Sequence, residues 1–270
     1  YCSRRQRQMC IRDSYEANLA MNKCDLMINV GARFDDRVTG RLDAFSPDSV
    51  KFHIDIDQSS INKNVKVDFH TNTDITQTLK EINSFIESNN IELEKKDYTN
   101  WWGQINDWRK KECLHYEQGE EIIKPQHAIS RLYDLTTQKD TFITTEVGQH
   151  QMWAAQYYKF SKPNRWITSG GLGTMGFGMP AAVGAQMANP DSLVIDIAGE
   201  ASFLMNIQEI ATAVQYKLPI KIFILNNEYM GMVRQWQELL HGSRYSESYV
   251  DALPDFKKLA ESFNAVGVRA

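Results

Sequence analysis

The stretch from Leu193 to Asn227 constrains this chain more than any other. Leu193-Val194-Ile195-Asp196-Ile197-Ala198 is an apolar run of strand length, and it breaks at Gly199-Glu200-Ala201-Ser202. A helical segment follows, then a second apolar run from Ile220 to Leu225 that ends at Asn226-Asn227. Strand, helix and strand in this order predict parallel neighbours in an α/β sheet. The same order puts a glycine, a carboxylate and a hydroxyl at the carboxyl end of one strand and paired amides at the end of the next. Open α/β sheets bind ligands at those ends. Magnesium takes hard oxygen ligands in near-octahedral geometry and commonly shares them between a few protein groups and a ligand's phosphates. The stretch therefore predicts a Mg²⁺-diphosphate site. The plainer reading is an ordinary strand-helix-strand unit.

With 270 residues, 42% hydrophobic and 24% charged, the chain has room for one large or two medium domains with a buried core. A net charge of -4 gives no support for a nucleic-acid or membrane-surface partner. No apolar stretch approaches the roughly 18 to 20 residues of a membrane span. Cys2, Cys10, Cys24 and Cys113 lack C-x-x-C spacing, which indicates neither a zinc site nor a disulfide framework. A reducing cytoplasm is the expected compartment. Tyr1 to Ser14 carries Arg4, Arg5, Arg7 and Arg12 with no periodicity and no apolar signal-peptide core. It reads as non-native adaptor sequence, with a disordered basic arm as the alternative.

Two blocks follow. In the first, Asp25 to Val30 and Val50 to Ile56 read as strands, and Ile75, Leu79, Ile82 and Ile86 mark an amphipathic helix. From Glu87 to Ile123 the chain turns charged and amide-rich, a partly helical linker whose Trp101, Trp102 and Trp108 would staple it to a domain; its many carboxylates oppose a nucleic-acid patch. The second block opens near Lys124 with a helix and alternates strands at 141–145, 166–168, 193–198 and 220–225 with helices through 150–157, to Ala188, after Gly199 and from near Pro254, with a further segment at 229–240. A glycine-rich loop occupies Ser169 to Gly178. This pattern predicts an α/β protein with two doubly wound parallel-sheet domains, divided as 15–88, a linker at 89–123, and 124–270. No internal repeat is visible, and the chain reads as truncated at both ends.

Gly199-Glu200-Ala201-Ser202 with Asn226-Asn227 resembles the cofactor signature of thiamine diphosphate enzymes. Further segments resemble, more narrowly, the large catalytic subunits of acetolactate synthase (acetohydroxyacid synthase). These are Gly148 to Gln156 (GQHQMWAAQ), Gly170 to Gly178 (GGLGTMGFG) and Met230 to Trp236 (MGMVRQW). In the first block Gly31 to Gly40 (GARFDDRVTG) and His53 to Asp57 (HIDID) resemble that family's central FAD-binding domain. The resemblance covers Tyr15 to Ala270.

Position by position, the resemblance implies Mg²⁺ ligands at Glu200, Asn227 and the main-chain oxygen of Tyr229, with Ala201 and Ser202 meeting the diphosphate. Unpaired N–H groups at the start of a helix suit such an anion. Gln149, Gly173, Met175 and Met232 would line the thiamine, Met175 as an apolar wedge under its bend rather than plain core filling. His150 belongs to the cofactor-binding set, acting at most through a neighbour, and His127 is an ordinary helix or surface residue. For FAD the matching positions are Gly31, Ala32, Arg33, Phe34, Asp35, Asp55, Ile56, Asp74 and Ile75, the flavin undergoing no net redox. Arg37 and Trp236 match positions that recognise the second substrate. A guanidinium offers a carboxylate a bidentate fork, and an indole favours a longer alkyl group by about 1 to 3 kcal/mol per methylene. The plainer alternatives are a pair between Arg37 and Asp35 or Asp36, and Trp236 as core.

The implied activity is a transferase reaction: decarboxylation of pyruvate and carboligation to pyruvate or 2-ketobutyrate, an early step towards branched-chain amino acids. Its partners would be small 2-ketoacids, a second copy of the chain in a dimer or tetramer with the site at the interface, and a regulatory small subunit. The activating glutamate of the family lies on a pyrimidine-binding domain that nothing before Asp25 resembles, so these residues alone are expected to be inactive. Two departures stand out: Glu200 replaces the motif's usual aspartate and Ala201 its usual second glycine. Another thiamine-dependent decarboxylase or carboligase, and a non-catalytic cofactor-binding module, are the alternative readings. Arg37 and Gln235-Trp236 argue against the first; Glu200 and the truncation are the support for the second.

Overall fold

A computed structural model describes residues 14–92 and 96–270, without the side chains of Asp36 and Arg37. The N-terminal segment read as non-native lies outside the described residues except for Ser14. Its hydroxyl accepts the Ala17 N–H at 3.2 Å and caps the first helix. The chain divides into two compact units, with the boundary along the sequence between His115 and Tyr116.

The N-terminal unit contains helix α1 (Tyr15–Lys23), strand β1 (Leu26–Val30), α2 (Asp36–Thr39), β2 (Val50–Ile54), β3 (Phe69–Thr71), α3 (Ile75–Ser88) and α4 (Thr99–Arg109). Its sheet is wholly parallel in the order β1-β2-β3, with Leu26 opposite Val50 and Phe52 opposite Phe69. Strand β3 escaped the sequence reading because it is three residues long and flanked by polar residues. A side chain sets its start: Asp68 Oδ2 accepts the Lys51 N–H at 2.7 Å. Phe34, Phe45 and Val65 form the core, with Met21, Met27, Val38 and Val67 around them. Within the expected linker, α4 packs on α1. Trp101 and Trp108 meet edge to face at 5.7 Å between ring centroids, while Trp102 stays exposed.

The C-terminal unit contains α5 (Pro125–Thr136), β4 (Thr141–Thr145), α6 (Gln149–Tyr157), β5 (Trp166–Thr168), α7 (Gly178–Ala188), β6 (Leu193–Ala198), α8 (Glu200–Leu204), α9 (Glu209–Gln215), β7 (Lys221–Ile224), α10 (Gly231–Leu240) and α11 (Phe256–Ser262). Pro125 at the start of α5 supplies a preset φ where no N–H is needed. The sheet is parallel in the order β5-β4-β6-β7. Every residue of β4 is buried and almost every residue of β6. A strand covered on both faces has no polar side, which is why both read as apolar or β-branched runs, broken only by Asp196 in β6. Met179, Ala198, Phe203, Ile210 and Ala213 form one core layer, and Phe142, Ala182, Ala185 and Val194 another. From β4 the chain steps to β5 on one side and returns to β6 on the other. The switch point therefore lies between β4 and β6, where an α/β sheet opens a crevice at its carboxyl edge. Two details differ from the sequence reading: the helical segment begins already at Glu200 and is two short helices, and the last helix starts at Phe256, capped by Asp255. Among the described residues no helix is long and apolar enough to cross a membrane.

Candidate functional site

In the C-terminal unit all four strands deliver their ends to the carboxyl edge. Strand β4 leads into Glu146 and Gln149, β5 into the glycine-rich loop, β6 into Gly199-Glu200, and β7 into Asn226-Asn227. Glu200 is 1% exposed, and its Oε1 accepts the Tyr229 N–H at 2.9 Å. Asn227 Oδ1 accepts the same N–H at 3.1 Å. Glu228, at φ 61°, makes the turn that brings Tyr229 back between them. A carboxylate oxygen and an amide oxygen thus converge on one point.

Burial raises the pKa of Glu200, and the backbone N–H groups around it offset this only in part. A buried carboxylate short of neutralising partners beside a neutral amide oxygen is the donor chemistry that a hard divalent cation takes. Among the described residues no group of three or more His, Cys, Asp or Glu is placed to hold a metal. Further ligands would be neutral oxygens and a ligand's own phosphates, so the residues present fit Mg²⁺ carrying a diphosphate.

Ser202, 1% exposed, turns its hydroxyl to the glycine-rich loop. It accepts the Gly176 N–H at 3.3 Å and donates to Glu146 Oε2 at 3.1 Å. Ala201 is half-buried beside it. The His150 ring wedges between Gly148 and Gly199, and a Cβ at either glycine would stand 2.6 Å from it. Burial pushes its pKa down to about 4, so it is neutral, and its Nε2 has no hydrogen-bond partner. His150 thus occupies the switch point between the ends of β4 and β6. Gln149 donates to Gln235 Oε1 at 3.4 Å, linking α6 to α10. A cleft of about 590 Å³ opens there, lined by Gln149, Asn227, Tyr229, Arg234 and Gln235 among others. Gly173, Met175, Ser202, Met232 and Trp236 lie outside its lining. Met175 and Met232 are half-buried, and Trp236 is 42% exposed on α10, so it is no core residue. His127 is half-buried on α5 with its ring 6.4 Å from Tyr116.

In the N-terminal unit the expected FAD positions also fall at strand ends: Gly31 to Asp35 after β1, Asp55-Ile56 after β2, and Asp74-Ile75 after β3. Asp35 pairs with Arg33 at 3.1 Å and accepts the Val38 N–H at 3.1 Å. The Phe34 ring is core, 5.2 Å from the His53 ring and 5.8 Å from Phe45. Asp55 accepts the Asp57 N–H at 2.8 Å, Ile56 is exposed, and Asp74 caps α3 through the Thr76 N–H at 2.8 Å. Gly31, Ala32 and Ile75 are half-buried. Arg37 lies on α2, but its side chain is outside the described residues.

Sequence reasoning missed three ionisable groups. Glu146 and Asp196 are fully buried. The Arg234 guanidinium lies over Tyr229 at 4.0 Å and Tyr245 at 5.0 Å. The signal for Glu146 was present: a carboxylate in the first position after a strand that reads as buried.

The thiamine pyrophosphate enzyme C-terminal TPP binding domain matches residues 146–270, and the thiamine pyrophosphate enzyme central domain matches 8–82. The acetolactate synthase isozyme 3 large subunit of Escherichia coli (strain K12) is 46% identical over 256 residues, 95% of this chain and 44% of that protein. The acetolactate synthase large subunit of Haemophilus influenzae is 44% identical over 254 residues, 94% of this chain and 44% of its own length. That of Porphyra purpurea is 45% identical over 255 residues, 94% and 42%. The chain spans less than half the length of these relatives. With both domains matched and these proteins aligned along nearly all of it, the chain belongs to the thiamine pyrophosphate enzymes, as a homologue of acetolactate synthase large subunits.

Proposed function

We propose that these residues are part of an acetolactate synthase large subunit, a transferase that joins two 2-ketoacids. In this reading 15–88 belongs to the central FAD-binding domain, 89–123 is the connection, and 124–270 is the thiamine diphosphate domain. The convergence of Glu200 and Asn227 on the Tyr229 N–H at the switch point carries the proposal. Those two side chains and the Tyr229 carbonyl would hold Mg²⁺, with Ala201 and Ser202 at the diphosphate. Gln149, Gly173, Met175 and Met232 would face the thiamine, with His150 filling the space behind. Bound there, the cofactor supplies an electron sink that lets pyruvate lose CO₂ and join a second 2-ketoacid. The chain's own residues orient and exclude water. Arg37 would clamp the second ketoacid's carboxylate, and Trp236 would border its alkyl group. FAD would lie along Gly31 to Asp35, Asp55, Ile56, Asp74 and Ile75. The activating glutamate would come from a pyrimidine-binding domain of a second copy in a cytoplasmic dimer or tetramer, with a regulatory small subunit as a further partner.

Two measurements test this. The 270 residues alone should bind thiamine diphosphate with Mg²⁺ by calorimetry yet form no acetolactate. A full-length subunit carrying them should form acetolactate from pyruvate. Acetaldehyde as the product would favour a decarboxylase, and absence of cofactor binding by the full-length subunit would favour a non-catalytic module.

A further inference from the structure

We propose that Glu146 is a positioning residue of the cofactor site, its two carboxylate oxygens tying the glycine-rich loop and the start of α7 to Ser202 so that they move as one piece. The inference rests on the thiamine diphosphate reading above.

Glu146 Oε1 accepts the Met179 N–H at 3.0 Å, and Oε2 accepts the Ser202 hydroxyl at 3.1 Å, joining segments 33 and 56 residues away. Ser202 Oγ accepts the Gly176 N–H at 3.3 Å, and Asn206 Nδ2 donates to the Gly176 carbonyl at 2.6 Å. Gly176 is thus held from both sides, and Met175, the expected thiamine wedge, is its chain neighbour. Both partners of Glu146 are donors. An ionised carboxylate only accepts, so it matches both, whereas an amide would turn a donor towards a donor.

The charge that Glu146 needs is protected by its neighbour. Asp196 on β6 is fully buried, accepts the Thr144 hydroxyl on Oδ1 at 2.9 Å, and has no partner on Oδ2. Burial and the nearby Glu146 charge push its pKa well up. Burial raises Glu146 as well, but the Met179, Gly178 and Gly176 N–H groups and the Ser202 hydroxyl oppose that rise. With two acids close together, the one with more donors keeps the charge and the other keeps the proton. His150 on α6, its ring against Gly148 and Gly199, is neutral.

The test uses the 270-residue chain with E146Q, S202A and the double variant. It reads amide exchange from Gly176 to Met179, thermal stability, and thiamine diphosphate-Mg²⁺ affinity by tryptophan fluorescence. E146Q should speed exchange at Gly176 and Met179 and weaken cofactor affinity about tenfold, the scale of losing a partner that orients a ligand. The double variant should bind no more weakly than the worse single one, because both break one linkage. A purely structural Glu146 would lower thermal stability while leaving exchange at 176–179 and affinity of the folded protein unchanged, and that outcome overturns the proposal. Should E146Q not fold, S202A carries the test alone, and unchanged Gly176 exchange overturns it. Should the wild-type chain take up no cofactor, the functional reading is what fails, and the exchange data still decide the linkage.

Discussion

Glu200 Oε1 and the Tyr229 N–H, 29 residues apart in sequence, meet at 2.9 Å and lock the end of β6 to the turn after β7. The extra methylene of Glu200, relative to the motif's usual aspartate, extends that carboxylate towards the turn without removing the negative charge. In the proposed reading the site keeps a carboxylate for the cation, and two substitutions separate charge from reach. E200D should retain Mg²⁺-dependent cofactor binding within a fewfold. E200Q should lose about two orders of magnitude in affinity, as removal of the single charged ligand requires. Without ligands the sign reverses: burial raises the Glu200 pKa, so E200Q should melt higher than wild type near neutral pH. Calorimetry and melting curves with and without Mg²⁺ check both arms, and equal affinity of E200Q and wild type would remove the metal assignment.

Helix α7 carries two glycines with opposite demands. A Cβ on Gly178 would stand 2.6 Å from the Glu146 backbone nitrogen and 2.7 Å from the Thr145 carbonyl carbon, atoms of a strand end that cannot retreat. G178A should cost about 3 kcal/mol, at the upper range for overpacking. Gly184, mid-helix, has nothing within 4 Å of its Cβ position, so G184A should gain about 0.8 kcal/mol from backbone entropy. Denaturant titrations of the two variants should move in opposite directions, and parallel losses would contradict the packing at the α7 start.

Much of the C-terminal unit was legible because strands β4 and β6 are buried on both faces, so Thr141 to Thr145 and Leu193 to Ala198 stand out between glycine-bearing turns. Strand β3 and helix α1 were not. Phe69 to Thr71 is too short to show alternation, and Tyr15 to Lys23 has no continuous apolar stripe and no fully buried residue. The strand-end motifs point to a candidate site at the carboxyl edge, but not to what each side chain does there. Periodicity cannot tell that the Phe34 ring turns into the core, that His150 fills the crevice, or that Glu146 reaches Ser202 across 56 residues. Those roles are set by partners distant in sequence.

Asp74, one of the expected flavin positions, already has a structural task. Its side chain accepts the Thr76 N–H at 2.8 Å and the Gln77 N–H at 3.4 Å, satisfying donors at the start of α3 that have no helical partner. D74A should therefore cost the N-terminal unit about 1 kcal/mol, and D74S, which keeps a capping oxygen, should recover most of it. Amide exchange along α3 measures the loss locally. If D74A leaves that exchange unchanged, capping is not what Asp74 provides.

The pH dependence of the C-terminal unit combines two buried groups of opposite sign. His150 falls from 6.5 to about 4 because burial disfavours its cation. The folded state holds it neutral while the unfolded chain protonates it, so its contribution is present above about 6.5 and is lost as pH falls towards about 4. Asp196 behaves oppositely. Burial and the Glu146 charge raise it, so its contribution is present below 3.8 and is lost as pH rises through the elevated native value. D196N removes that loss while nearly preserving shape, and each tenfold difference in proton affinity between the folded and unfolded chain that it abolishes is worth about 1.4 kcal/mol. Relative to wild type, its melting temperature should therefore rise from pH 5 to pH 8 while the acid limb set by His150 stays in place. Melting curves of D196N and wild type that run parallel across that range would show that Asp196 is not the group holding a proton beside Glu146.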